Sequence, residues 1–91
     1  MNSSDFDVAW TSAARRSLNR LPEKVATAVV EFVYGSLAAN PPRVGKPLKL
    51  HLEGRHSARR GDYRVIYRVH NDQHRVDVIA VEHRSDAYRP R

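Results

Sequence analysis

The run Tyr63-Arg64-Val65-Ile66-Tyr67-Arg68-Val69 constrains this chain more than any other. Tyr63, Val65, Tyr67 and Val69 share one parity, and Arg64, Ile66 and Arg68 share the other. Side chains of an extended segment point alternately to opposite faces. Aromatic and β-branched residues at period two therefore predict a strand with one face on a core. Turn formers bracket it, Gly61-Asp62 before and Asn71-Asp72-Gln73-His74 after. Arg55 to Arg60 and Asp62 to His70 then form one hairpin. Arg75 to His83, carrying Val76, Val78, Ile79 and Val81, is the last strand. The stretch Arg59 to Arg68 also holds four arginines and two tyrosines in ten residues, a set suited to phosphate and stacked bases.

The first half reads as a short strand followed by a helical hairpin. Asp5 to Trp10 alternates, with Phe6, Val8 and Trp10 on one face. Thr11 and Ser12 are good helix N-caps, and Ala14, Leu18 and Leu21 follow at helical spacing. Pro22 ends that helix and opens the next, because proline is tolerated in a first turn and not in a helix interior. From Glu23 to about Ala39, the residues Val25, Val29, Phe32, Val33 and Leu37 form an apolar stripe. Gly35 and the β-branched residues are poor helix formers, so tertiary packing must hold this segment. A helix-turn-helix DNA reader is the rival reading, but the second segment is too apolar to present a recognition face to a groove. Asn40 to Pro47 is expected to be a loop, while Leu48, Leu50 and Leu52 suit either a short strand or an irregular anchor. The order βααβββ implies a small single α+β domain, with a helical hairpin packed on a largely antiparallel four-stranded sheet.

Length and charge bound the function. Ninety-one residues suffice for one modest core, with little room for a deep enclosed pocket. The chain has no cysteine, no apolar run of transmembrane length and a polar start, which together suggest a cytoplasmic protein with no membrane partner. Its net charge of +6 is concentrated. Residues 43–68 hold eight basic side chains against Glu53 and Asp62, whereas the segments on either side are each balanced four against four. A localised basic patch points to a polyanion or an acidic protein partner, and the plainer alternative is an arginine-rich solvated surface.

Most catalytic constellations are missing. The five histidines (51, 56, 70, 74, 83) are scattered, the four glycines are isolated, and no serine sits in a nucleophile context. No metal site and no cofactor is expected. Arginine, tyrosine and one late histidine remain, and such a set can cleave RNA because the substrate carries its own nucleophile. The ribose 2′-OH attacks the adjacent phosphorus, guanidinium groups neutralise the transition state, and histidine can exchange protons near neutral pH.

Three segments carry a resemblance. Leu52-Glu53-Gly54, Ser57-Ala58-Arg59-Arg60-Gly61-Asp62-Tyr63-Arg64-Val65-Ile66-Tyr67, and Val81-Glu82-His83-Arg84 with Tyr88 resemble the RelE toxins of bacterial toxin–antitoxin systems. Ala14-Arg15-Arg16-Ser17-Leu18-Asn19-Arg20-Leu21-Pro22 and Gly45-Lys46-Pro47-Leu48 fit as well. The resemblance implies a RelE-like fold that enters the ribosomal A site and cuts mRNA there. It also implies a cognate antitoxin that wraps the toxin, and a joint complex that represses operator DNA. By position, it implies Arg64 and Arg84 as phosphate-stabilising arginines and Tyr88 as the residue that orients the nucleotide. His83 is implied as part of the proton transfer. Arg59, Arg55, Arg60, Lys49 and Lys46 form the expected RNA- and phosphate-binding set. Where well-known members place two lysines, this chain has Arg55 and Ser57, so the proton acceptor is left unassigned. A decayed toxin and a non-catalytic toxin on the same fold, either gyrase-directed or mainly a DNA-binding co-repressor, are the alternatives.

Each residue also has a structural reading. Arg64 can pair with Asp77 or Glu82, Tyr63 and Tyr67 suit the core face, and Arg60 suits a solvated turn. Register is the geometric question. Pairing His70 with His74 would place Arg64 and Arg84 on one face, whereas pairing Asn71 with His74 would put Arg64 opposite Val81.

Overall fold

The computed structural model describes residues 5–47 and 54–83. Strand β1 (Asp7–Trp10) leads into helices α1 (Ser12–Arg20) and α2 (Glu23–Phe32). The Thr11 hydroxyl accepts a hydrogen bond from the Ala14 N–H at 3.1 Å, which caps α1 as its position suggests. Helix α2 passes into a π-helical turn, Val33–Leu37, and helical backbone continues through Ala39. That wide turn contains Gly35 and is held by packing, with Val33 and Leu37 both buried.

Two corrections follow in the segment expected to be a loop. Pro41–Val44 forms a single helical turn, α3, because prolines are compatible with a helix start. Lys46–Pro47 then forms β2, a two-residue strand too short for any periodicity to signal. With β3 (Arg55–Arg60), β4 (Tyr63–His70) and β5 (Arg75–His83), the sheet has five strands and not four, in the order β1-β5-β4-β3-β2. All neighbours are antiparallel except β1 and β5. The leucine-rich stretch from Leu48 to Leu52 lies outside the described residues.

One face of the sheet carries the helices. Ala58, Val65, Tyr67, Val76, Val78 and Val81 pack there with Ala14, Leu21, Val29, Phe32, Val33 and Leu37. Fully burying one large apolar side chain contributes roughly 1.5–3 kcal/mol, so this layer dominates folding. Tyr67 is completely buried, and its hydroxyl donates to the Pro41 carbonyl at 2.6 Å, tying α3 to the sheet. Gly45 completes that clasp. A Cβ there would stand 2.5 Å from the Tyr67 hydroxyl and 2.6 Å from the Ser57 carbonyl oxygen, so no larger residue fits without movement. Burial pushes the Tyr67 phenol up to about 12, while a hydrogen bond with the Gly45 backbone acts the other way.

Neither anticipated register runs the length of the β4–β5 pair. Four residues, Asn71 to His74, connect the strands, and His70 pairs with Arg75. Even positions face odd ones as far as Tyr67 opposite Val78. Ile79 is then an extra residue, and beyond it Ile66 faces Ala80 and Arg64 faces Glu82. Such a bulge needs its freed backbone groups satisfied. The Thr11 hydroxyl donates to the Ile79 carbonyl at 2.9 Å, and the Thr11 N–H donates to the Val78 carbonyl at 3.0 Å. One threonine therefore caps α1 and anchors the bulge.

Candidate active site on the open face of the sheet

The registers place cross-strand neighbours on the face without helices. Arg59, Arg64 and Glu82 form one row, and Lys46, Ser57, Ile66 and Ala80 form the next. Beyond them come Arg55, Arg68, Asp77 and Ala9, then His70, Arg75 and Asp7. Rows on one face are about 6.6 Å apart along a strand, twice the rise per residue.

Arg64 pairs with Glu82. Its Nε donates to Glu82 Oε1 at 3.1 Å, and its Nη2 donates to the same oxygen. The side chains are 48% and 44% exposed, so this is a solvent-screened pair that adds little to stability. On its other side Arg64 joins Arg59 and Lys46 around an open cavity of about 420 Å³, with Val44 and Pro47 as its apolar lining. Three cations line the cavity, and Glu82 stands beside it as the partner of Arg64.

The structure brings Arg64, Arg59 and Lys46 together. Lys46 stands opposite Ser57 because β2 pairs with β3, a placement hidden from the sequence by the brevity of β2. Arg55 shares the face but lies four residues from Arg59, roughly 13 Å along the strand. Arg60 and His83 are on the other face, in the row of Tyr63. Arg60 is in β3 and not in the turn, and its guanidinium stacks 4.8 Å over the Phe32 ring. Burial raises the Tyr63 phenol, and the Arg60 charge opposes that shift. Arg84, Tyr88 and Lys49 lie outside the described residues.

At the far end of the same face, Asp77 is held from two sides. Arg75 Nε donates to Asp77 Oδ1 at 2.9 Å, His70 Nε2 lies 2.9 Å from Asp77 Oδ2, and Arg75 Nη1 donates to Gln73 at 2.6 Å. Burial pushes the Asp77 carboxyl up, but the Arg75 and His70 hydrogen bonds and charges outweigh it and hold it below the ordinary carboxylate value. Among the described residues, no helix is long and apolar enough to cross a membrane.

Comparison with known proteins places this arrangement. Residues 8–88 match the family model described as ParE toxin of type II toxin–antitoxin system. The toxin RelE of Mycobacterium tuberculosis is 57% identical over 84 residues, 92% of this chain and 87% of that protein. The toxin RelG of the same organism is 48% identical over 84 residues, 92% and 97% of the two chains. Among solved structures, a chain of the M. tuberculosis toxin–antitoxin complex RelBE2 superimposes with a TM-score of 0.85 at 46% identity, covering 88% of this chain and 99% of that one. A sheet of this order, its helical cover and these relatives agree: the chain belongs to the RelE/ParE family of type II toxin–antitoxin toxins, and is of the RelE type.

Proposed function

We propose that this toxin is a ribosome-dependent endoribonuclease that stops translation by cutting mRNA in the A site. The observation that carries this reading is the convergence of Arg64, Arg59 and Lys46 on one cavity of the open face. Guanidinium groups there meet the non-bridging phosphate oxygens and stabilise the charge that builds up as the 2′-OH attacks phosphorus. The apolar wall receives a base, and the backbone follows the cationic rows. Arg84 and Tyr88 complete the site by resemblance, as second phosphate ligand and nucleotide-positioning residue. A shallow, open site suits a nuclease that relies on the ribosome to hold its substrate in line.

The same reading assigns a cognate antitoxin that wraps and neutralises the toxin, as the RelBE2 complex is named for its relative. The joint complex would repress its operator. The ParE description of the family model favours one alternative, a gyrase-directed toxin without nuclease chemistry. Induced expression separates the two. Growth arrest with translation failing before replication, relieved by Arg64→Ala, supports the nuclease. A DNA-damage response with translation intact rejects it.

A further inference from the structure

The proposed chemistry needs a proton acceptor, and the three cations that line the cavity supply none. Among the described residues, four groups that can accept a proton stand on the open face by register: Asp7, His70, Asp77 and Glu82. Asp77 and His70 are bonded to each other, and Asp77 also to Arg75. They sit roughly 13–20 Å along the strand from Arg64, and Asp7 is aligned with Arg75 at that same end. His83 is aligned with Tyr63 on the helix-covered face. Glu82 is the acceptor in direct contact with Arg64.

We infer that Glu82 is the catalytic base of this toxin, taking the 2′-OH proton while Arg64 holds the phosphate. The inference rests on the nuclease reading above. Arg64 Nε and Nη2 both donate to Oε1, which leaves Oε2 and the Nη1 donor outside that contact. A phosphate oxygen can then bind the guanidinium through Nη1 while Oε2 accepts from a ribose hydroxyl. Oε2 removes the proton as the 2′-oxygen bonds to phosphorus and the bond from phosphorus to the 5′-oxygen breaks. The leaving 5′-oxygen takes a proton from water, and the protonated carboxyl returns its proton to solvent. The products are a 2′,3′-cyclic phosphate and a 5′-hydroxyl, with no net change in protons. Placement of Glu82 depends on the Ile79 bulge, since without the extra residue Val81 would face Arg64.

A plain counter-ion would give the opposite result on substitution. If Glu82 only masked Arg64, Glu82→Gln would free the guanidinium and speed cleavage. The test is single-turnover cleavage of A-site mRNA on programmed ribosomes by wild type, Glu82→Gln and Glu82→Asp, each checked for folding by circular dichroism. Glu82→Gln is expected to slow cleavage about 10²–10⁴-fold, the usual contribution of a general base, with ribosome binding nearly unchanged. The acid limb of the wild-type pH–rate profile should vanish in Glu82→Gln. Glu82→Asp should keep that limb at an intermediate rate, and it carries the test if the Gln variant does not fold. Cleavage by Glu82→Gln at or above the wild-type rate, or loss of the acid limb in Glu82→Asp, overturns the assignment. No cleavage by the wild type would instead reject the nuclease reading, and the base with it.

Discussion

The two ends of the open sheet face use the same residue types to different ends. Around Asp77 the carboxylate is held from two sides: Arg75 and His70 both bond it, and Arg75 also holds Gln73. Around Arg64, three cations border a cavity, and among the described residues Arg64 alone of them pairs with a carboxylate, Glu82. The Asp77 carboxylate, already held by its own partners, offsets the charge of Arg75, whereas an excess of cations beside a cavity can bind an anion. The strand that supplies Arg64 also supplies Arg68 and His70, so local sequence does not distinguish the ends. What distinguishes them is which neighbours the sheet delivers, β2 with Lys46 at one end and β1 with Asp7 at the other.

The sharpest way to break the comparison is to remove one arginine from each end. Arg64→Ala should lower A-site cleavage about 10²–10³-fold, the usual loss of one transition-state donor, while Arg75→Ala should stay within a few-fold. Equal losses would erase the distinction. Next is the clasp that positions Lys46. Gly45→Ala forces a methyl group against the Tyr67 hydroxyl and the Ser57 carbonyl, and should cost about 1–3 kcal/mol in denaturant unfolding. An unchanged midpoint would show that β2 is not pinned.

Smaller effects test the supports. Thr11→Val leaves the Ile79 carbonyl and the Ala14 N–H without their side-chain partner, for a loss of about 1–2 kcal/mol. Its cleavage should fall further than its stability accounts for, because the bulge sets the face on which Glu82 stands. Tyr67 contributes a pH signature. Its folded value is raised, so the stabilisation is present below about pH 10, the ordinary phenol value, and fades as pH climbs through about 12. Tyr67→Phe should flatten that alkaline decline in a urea-melt series. The least effect comes from the Asp77 end. Asp77 is depressed, so its contribution is present above the ordinary carboxylate value and lost as pH falls through the folded one, a slope that Asp77→Asn should remove.

Much of this was legible in the residues. Alternation in Tyr63–Val69 marks the strand and its core face, and Thr11, Pro22 and the apolar stripe mark both helices. The basic excess of residues 43–68 marks the segment that lines the cavity. Three features were not legible, each for a physical reason. Strand β2 is two residues long and exists only through its pairing with β3. The Ile79 bulge shifts the buried positions of β5 from Val76 and Val78 to Val81, a slip hidden by the apolar run Val78 to Val81, and the side chain that supports it is Thr11, 68 residues away. His83 and Arg60 carry chemistry suited to the site, yet parity turns them toward the helices, a fact that only the register supplies.

The measurement that tests the central claim most directly is end-mapping of mRNA on ribosomes programmed with a defined A-site codon. It compares wild type with Arg64→Ala, and an all-ribose message with one bearing a 2′-deoxy sugar at the mapped position. Wild type should leave a cut within the A-site codon that ends in a 2′,3′-cyclic phosphate. The cut should disappear with Arg64→Ala and with the 2′-deoxy sugar. An intact wild-type lane, or a cut that survives either change at full strength, would contradict the assignment of the open face as the site of RNA cleavage.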